Sequence, residues 1–142
     1  MHVKITRLDP SLPLPAYATA GAAGFDLAAA HDVDVPPRAI RLVGTGLVMK
    51  VPDGHFLAIV ARSSTPLKRG LMVANSVGIV DSDYCGPADE IKIQVINVTD
   101  AHVVVRRGDR IAQGLILRAP QVTFEEVETV GASRGGFGST GS

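Results

Sequence analysis

Glu90-Ile-Lys-Ile-Gln-Val-Ile96 alternates strictly, with Ile91, Ile93 and Val95 on one side and Glu90, Lys92 and Gln94 on the other. A period of two over seven residues is a β-strand with one face in a core and one in water. Outward from it the signal recurs in short pieces. Upstream, Val3 and Ile5 alternate with polar neighbours in 2–8, Ile40-Arg-Leu-Val43 reads as a strand, and Pro52-Asp53-Gly54 separates two apolar runs. That turn signal predicts a hairpin of Val48–Val51 with Phe56–Val60. Downstream, Asn97-Val-Thr-Asp100 turns the chain into Val103–Val105, and Leu115–Leu117 and Val122–Val127 follow. About ten short strands without an internal repeat or a βαβ pattern predict an all-β, jelly-roll-like sandwich. One short helix is expected, from the hydroxyls and proline of Ser63-Ser-Thr-Pro66 to a stop at Gly70.

The 142 residues suit one domain, 1–130, followed by a Gly/Ser/Thr-rich C-terminal arm, 131–142. Trp is absent and aromatics are 4%, so the core has to be built from Val, Ile, Leu and Ala. A net charge of zero gives no broad field toward nucleic acid or an anionic membrane. Cys85 is the only cysteine, which excludes an intrachain disulfide and a four-cysteine zinc site. His2, His31, His55 and His102 lack metal-ligand spacing and read as surface residues. No signal-peptide pattern or apolar run of about 20 residues is seen, so a cytoplasmic location is expected.

The chemistry is concentrated in Asn75-Ser-Val-Gly-Ile-Val-Asp-Ser-Asp-Tyr84, which reads as a β-hairpin ending in a site. Between Asp53 and Asp81 the formal charges are Arg62, Lys68 and Arg69; then Asp81, Asp83, Asp89 and Glu90 follow closely. Cations to hold a polyphosphate, then carboxylates to activate water or assist Mg²⁺, suit phosphate-ester chemistry. A plain polar turn at Asp81–Tyr84 accounts for the same residues. Asp26, in Ala20-Gly-Ala-Ala-Gly-Phe-Asp-Leu-Ala28, is a strand carboxylate with no cation nearby in sequence, costly to bury unless solvated or paired. The 63–70 helix would aim backbone N–H groups, hydroxyls and Arg62 at one point, as an anion site requires. In the arm, a lone Arg134 with Phe137, Ser139 and Thr140 fits a phosphate-closing lid, while its composition alone fits a disordered end.

Together these stretches resemble the trimeric dUTPases (deoxyuridine triphosphatases). Ala22–Ala28 resembles the first family motif, Ala61-Arg-Ser-Ser64 with Lys68 and Gly70 the second, and Gly78–Gly86 the third. Arg107-Gly-Asp-Arg-Ile-Ala-Gln113 resembles the fourth, and Arg134 with Gly136–Gly141 the fifth. The resemblance implies a homotrimer, with sites assembled at subunit contacts and closed by the arm. It also implies hydrolysis of dUTP to dUMP and pyrophosphate, which keeps uracil out of DNA and supplies dUMP for thymidylate synthesis. Asp81 would activate the attacking water, and Asp26 would stand near the waters of a Mg²⁺ held mainly by substrate phosphates. Asn75, Gly78 and Val80 would bind uracil, Tyr84 would pack under deoxyribose, and Phe137 would stack on the base. Arg62, Ser63, Ser64, Gln113, Arg134, Ser139 and Thr140 would contact phosphates. Arg134 stands three residues before Phe137, a shorter spacing than the family commonly shows.

Two other readings compete. A deoxycytidine triphosphate deaminase has a similar Arg-Ser-Ser segment, but carries a Glu where Gln94 stands, and Gln cannot shuttle a proton. A non-catalytic nucleotide sensor would be marked by loss of Asp81 or of the arm, and both are present.

Overall fold

The computed structural model describes residues 1–136. In chain order they form β1 (Lys4–Arg7), β2 (Phe25–Ala28), β3 (Val33–Val35), β4 (Ile40–Gly44), β5 (Leu47–Lys50), β6 (His55–Ala61), α1 (Ser64–Arg69), β7 (Leu71–Val73), β8 (Gly78–Val80), β9 (Lys92–Asn97), β10 (Val103–Val105) and β11 (Arg110–Arg118). The strands make a four-stranded sheet β2-β11-β6-β8, a three-stranded sheet β4-β9-β7, and two ribbons, β1-β5 and β3-β10. The result is the expected jelly-roll-like fold, mostly β with one short helix.

Leu27, Leu57, Ile59, Leu71, Val43, Ile93, Val95 and Ile111 are fully buried and come from both larger sheets, so one aliphatic core lies between them. The alternation that predicted β9 holds: Ile91, Ile93 and Val95 are each at most 1% exposed. Asn97 continues that inward face, and its amide is fully satisfied. It donates to the carbonyls of Val35 (2.9 Å) and Ala101 (2.7 Å) and accepts from the N–H and hydroxyl of Thr99 (2.9 and 2.7 Å). A buried amide with these partners fixes the 97–101 turn rather than weakening the core.

Three sequence expectations need correction. The 48–51 and 56–60 runs do not pair; β5 pairs with β1, and β6 pairs with β11 and β8. The Pro52–Gly54 turn carries the chain between sheets, so its turn chemistry was read correctly and its topology was not. Likewise 75–84 is not a hairpin: its one strand, β8, lies on β6, and β7 before it lies on β9. The turn between them holds Ser76 at φ 63, with the N–H of Val77 bonded to the carbonyl of Asn75 at 2.7 Å. Finally, 122–127 forms no strand; Val122 and Phe124 are 69% and 95% exposed, without a neighbouring strand to complete a ladder. No helix among the described residues is long and apolar enough to cross a membrane.

Three carboxylates tie the segment before β11 to the rest of the chain. Asp9 accepts from the hydroxyl (2.6 Å) and N–H (2.9 Å) of Ser11 and from Arg107 (2.8 Å). Asp32 accepts from the N–H of Arg107 and the guanidinium of Arg106, and Asp109 from Arg69 and the N–H of Arg106. The Ser11 bonds, with Arg107 behind them, hold the Asp9 carboxyl at about 2 against an ordinary 3.8. Asp32 is lowered chiefly by the Arg107 N–H, and Asp109 chiefly by the Arg69 bond. A depressed native pKa means that the unfolded chain takes up these protons first as pH falls. For Asp9 the stabilisation is therefore present above 3.8 and is lost on the way down to about 2, and Asp32 and Asp109 act in the same direction. We expect the melting temperature to drop through that window, and Asp9→Asn to flatten part of the drop. An unchanged acid slope in Asp9→Asn would show that this carboxylate contributes nothing.

Candidate active site

The first group of site residues gathers where β2, β6 and β11 run side by side. Gln113 of β11 stands across from both Asp26 of β2 and Val60 of β6, and its amide donates to the carbonyl of Ala61 at 3.2 Å. This approach needs a residue without a side chain at 24, because a Cβ on Gly24 would lie 2.8 Å from Oε1 of Gln113. Asp26 has the partners that its local sequence lacks. Nε of Arg62, just past β6, lies 2.8 Å from Oδ1, and Nη1 of Arg110 lies 3.0 Å from Oδ2. Arg62 also donates to the carbonyl of Arg110 at 3.1 Å. The Asp26 side chain is 16% exposed, so two cations compensate a largely desolvated carboxylate.

Beside this pair opens a cavity of about 360 Å³ lined by Arg62, Ser64, Lys68, Arg69, Gly108, Asp109 and Arg110. Its wall is α1, pinned at both ends. Buried Thr65 donates to the carbonyl of Ile111 (2.9 Å), and Arg69 bridges to Asp109 (2.6 Å). The helix stops at Gly70 in the left-handed region, as its sequence predicted. Its start differs from expectation. Ser63 occupies the cap position with helical dihedrals, and its hydroxyl makes no capping bond. With six residues in α1, the anion-attracting character of the cavity comes from its side-chain cations.

The second group surrounds the end of β8. Gly78 packs tightly on β6, where a Cβ would stand 3.1 Å from Cβ of Ile59. Val80 is half-buried, whereas Asn75, Asp81 and Tyr84 are exposed. Val80, Asp81 and Tyr84 line a cavity of about 320 Å³ together with Leu42, Ile79, Glu90, Ile91 and Lys92. The Tyr84 hydroxyl donates to the carbonyl of Glu90 (3.3 Å), and Lys50 holds the carbonyl of Ser82 (3.0 Å) next to Asp81. Cys85 is half-buried, with its thiol 3.6 Å from the carbonyl of Asp83.

The two groups do not meet within one chain. Val80 stands opposite Leu57, so Asp81 falls level with Phe56, at the far end of β6 from Arg62. Six residues of strand separate those levels, about 20 Å at ~3.3 Å per residue. Arg134 is exposed in a segment without regular structure, and Phe137, Ser139 and Thr140 lie outside the described residues. Sequence reasoning counted Arg69 among the cations of its segment but gave no role of their own to Arg110, Asp109 and Lys50.

The dUTPase family model matches residues 11–141, nearly the full length and all the stretches that build both groups. The chain belongs to the dUTPase family. It is 47% identical to a deoxyuridine 5'-triphosphate nucleotidohydrolase of Caulobacter vibrioides over 140 residues, 94% of this chain and 88% of the relative. To the enzyme of that name from Wolinella succinogenes it is 42% identical over 144 residues, covering 99% and 95%. Among solved structures, a dUTPase from Streptococcus mutans superposes with a TM-score of 0.79 at 36% identity, covering 87% of this chain and all of that one. As a dUTPase-family member the chain has a donor set that fits a metal arriving with its substrate. Among the described residues no group of three or more His, Cys, Asp or Glu side chains could hold an ion alone. Two carboxylates stand at the cationic cavity, Asp109 in its lining and Asp26 beside it on Arg62 and Arg110, and Mg²⁺ commonly needs only one or two carboxylates besides substrate phosphates.

Proposed function

We propose that this chain hydrolyses dUTP to dUMP and pyrophosphate, by in-line attack of water on the α-phosphorus. The reading is carried by one observation: a cation-lined cavity at one end of β6 and a carboxylate–tyrosine pocket at the other, both inside the stretch that the dUTPase family model matches. Relatives named for this activity cover nearly the whole chain. Asp81 takes the proton from the attacking water. Arg62, Ser63, Ser64 and Gln113 bind the phosphates, joined by Arg134, Ser139 and Thr140 of the arm. These fixed donors counter the charge that builds in a phosphoryl transition state. Asn75 and the backbone of Gly78 and Val80 read uracil, Tyr84 packs under the sugar, and Phe137 covers the base. Mg²⁺, when bound with the triphosphate and touched by Asp26 through water, supplies Lewis-acid charge neutralisation. We assign this work to the cytoplasm, where it keeps uracil out of DNA and provides dUMP for thymidylate.

Because Asp81 and Arg62 stand about 20 Å apart along β6, a nucleotide can use both only if they come from different copies. We assign the working form as a homotrimer. Mixing Arg62→Ala with Asp81→Asn, each inactive alone, is expected to restore about a quarter of wild-type activity, since a site drawing one residue from each of two copies is intact in that share of random assemblies. No recovery on mixing would require a site within one chain.

The activity is tested by pyrophosphate release with Mg²⁺ from dUTP, dCTP, dTTP and UTP side by side, identifying each nucleotide product. Release from dUTP with dUMP as product supports the reading. Ammonia from dCTP would replace it with deamination, and no turnover of any of the four would leave a nucleotide-binding module.

A further inference from the structure

We infer that Arg110 is a further phosphate-binding residue, and that Asp26 occupies the seat of a phosphate until nucleotide arrives. This rests on reading the cavity beside α1 as the phosphate site. Arg110 sits on the β11 bulge, where the register with β2 shifts between Arg110 and Ala112. Ile111 and Ala112 are both fully buried, so Arg110 and Gln113 emerge on the same face, beside Asp26. Arg110 is thereby aimed at the carboxylate that Arg62 also holds. Two guanidiniums each engage one oxygen of a single anion, at 2.8 and 3.0 Å. That arrangement suits two oxygens of a phosphate as well as it suits two of a carboxylate.

The Arg110 side chain is 58% exposed and lines the cavity with Arg62 and Ser64, whereas Asp26 is 16% exposed. The cations therefore reach an incoming anion before Asp26 does. When a phosphate takes over these two arginines, Asp26 is released from them, and its carboxylate becomes free for the solvation shell of the phosphate-bound cation. The internal ion pair serves as a competitor: it keeps both guanidiniums oriented in the free protein, and it lowers affinity for any anion too weak to displace it.

The test is calorimetric titration of the full-length protein with inorganic pyrophosphate, without added Mg²⁺. Asp26→Asn is expected to bind pyrophosphate at least about five-fold more tightly than wild type, with a steeper loss of affinity as salt is raised. Arg110→Ala is expected to weaken binding about ten-fold, and Arg110→Lys by less, because a point charge replaces the fork. In the Arg110→Ala background, the gain from Asp26→Asn is expected to shrink below about two-fold, the non-additivity of groups that share a partner. Equal or weaker pyrophosphate binding by Asp26→Asn, or wild-type binding by Arg110→Ala with an unchanged melting curve, overturns the inference. Wild-type turnover of dUTP is measured alongside: turnover with either of those binding results rejects the inference alone, and its absence rejects the hydrolase.

Discussion

Asp81→Asn is expected to reduce turnover of dUTP by about 10²- to 10⁴-fold, the range for losing a general base, with nucleotide affinity little changed. The expectation follows from how the loop is built. Asp81 offers its backbone carbonyl to the N–H of Tyr84 at 3.3 Å, Lys50 secures the carbonyl of Ser82, and the Tyr84 hydroxyl rests on the carbonyl of Glu90. None of these bonds uses the Asp81 carboxylate. An amide of the same size leaves these bonds standing and removes the carboxylate proposed to take a proton from water. Turnover within a few-fold of wild type would take Asp81 out of the role, and a parallel loss of affinity would make it a binding residue.

The second large effect is expected on truncation after Gly131. Activity should fall by about 10²-fold or more, as for loss of a lid that completes a site, while the melting temperature stays near that of the full chain. Among the described residues, the aliphatic core lies wholly upstream of the removed segment. The aliphatic cluster ends with Ile116, and from Ala119 onward no described residue joins a strand. Comparing kcat/KM and thermal melts of the two lengths separates a functional arm from a structural one. Full activity of the shortened chain would make the arm dispensable.

Much of the architecture is legible in the residues because alternation is a local property. β9 could be read from seven residues, and the stop of α1 from a single glycine whose left-handed φ matches its place. Pairing is not local. Pro52–Gly54 and Asn75–Val77 both look like hairpin turns, yet each hands the chain to a strand in another sheet, a choice made by which apolar face finds a partner in the core. The site shows the same divide. Asp26, Arg62 and Gln113 could be singled out by type and motif, but strict alternation would set Arg110 and Gln113 on opposite faces of β11. The bulge that brings them together is a register event between strands more than eighty residues apart, invisible in either stretch alone.

β6 is seven residues long and has Arg62 just past one end and Asp81 level with the other. A nucleotide that needs both is, for the protein, a rivet between copies. If the site is shared as proposed, specific activity should fall on dilution, since a solitary chain would hold two halves of different sites and no whole one. Substrate should move that fall to lower protein concentrations, because whatever binds only the assembly also draws the equilibrium toward it.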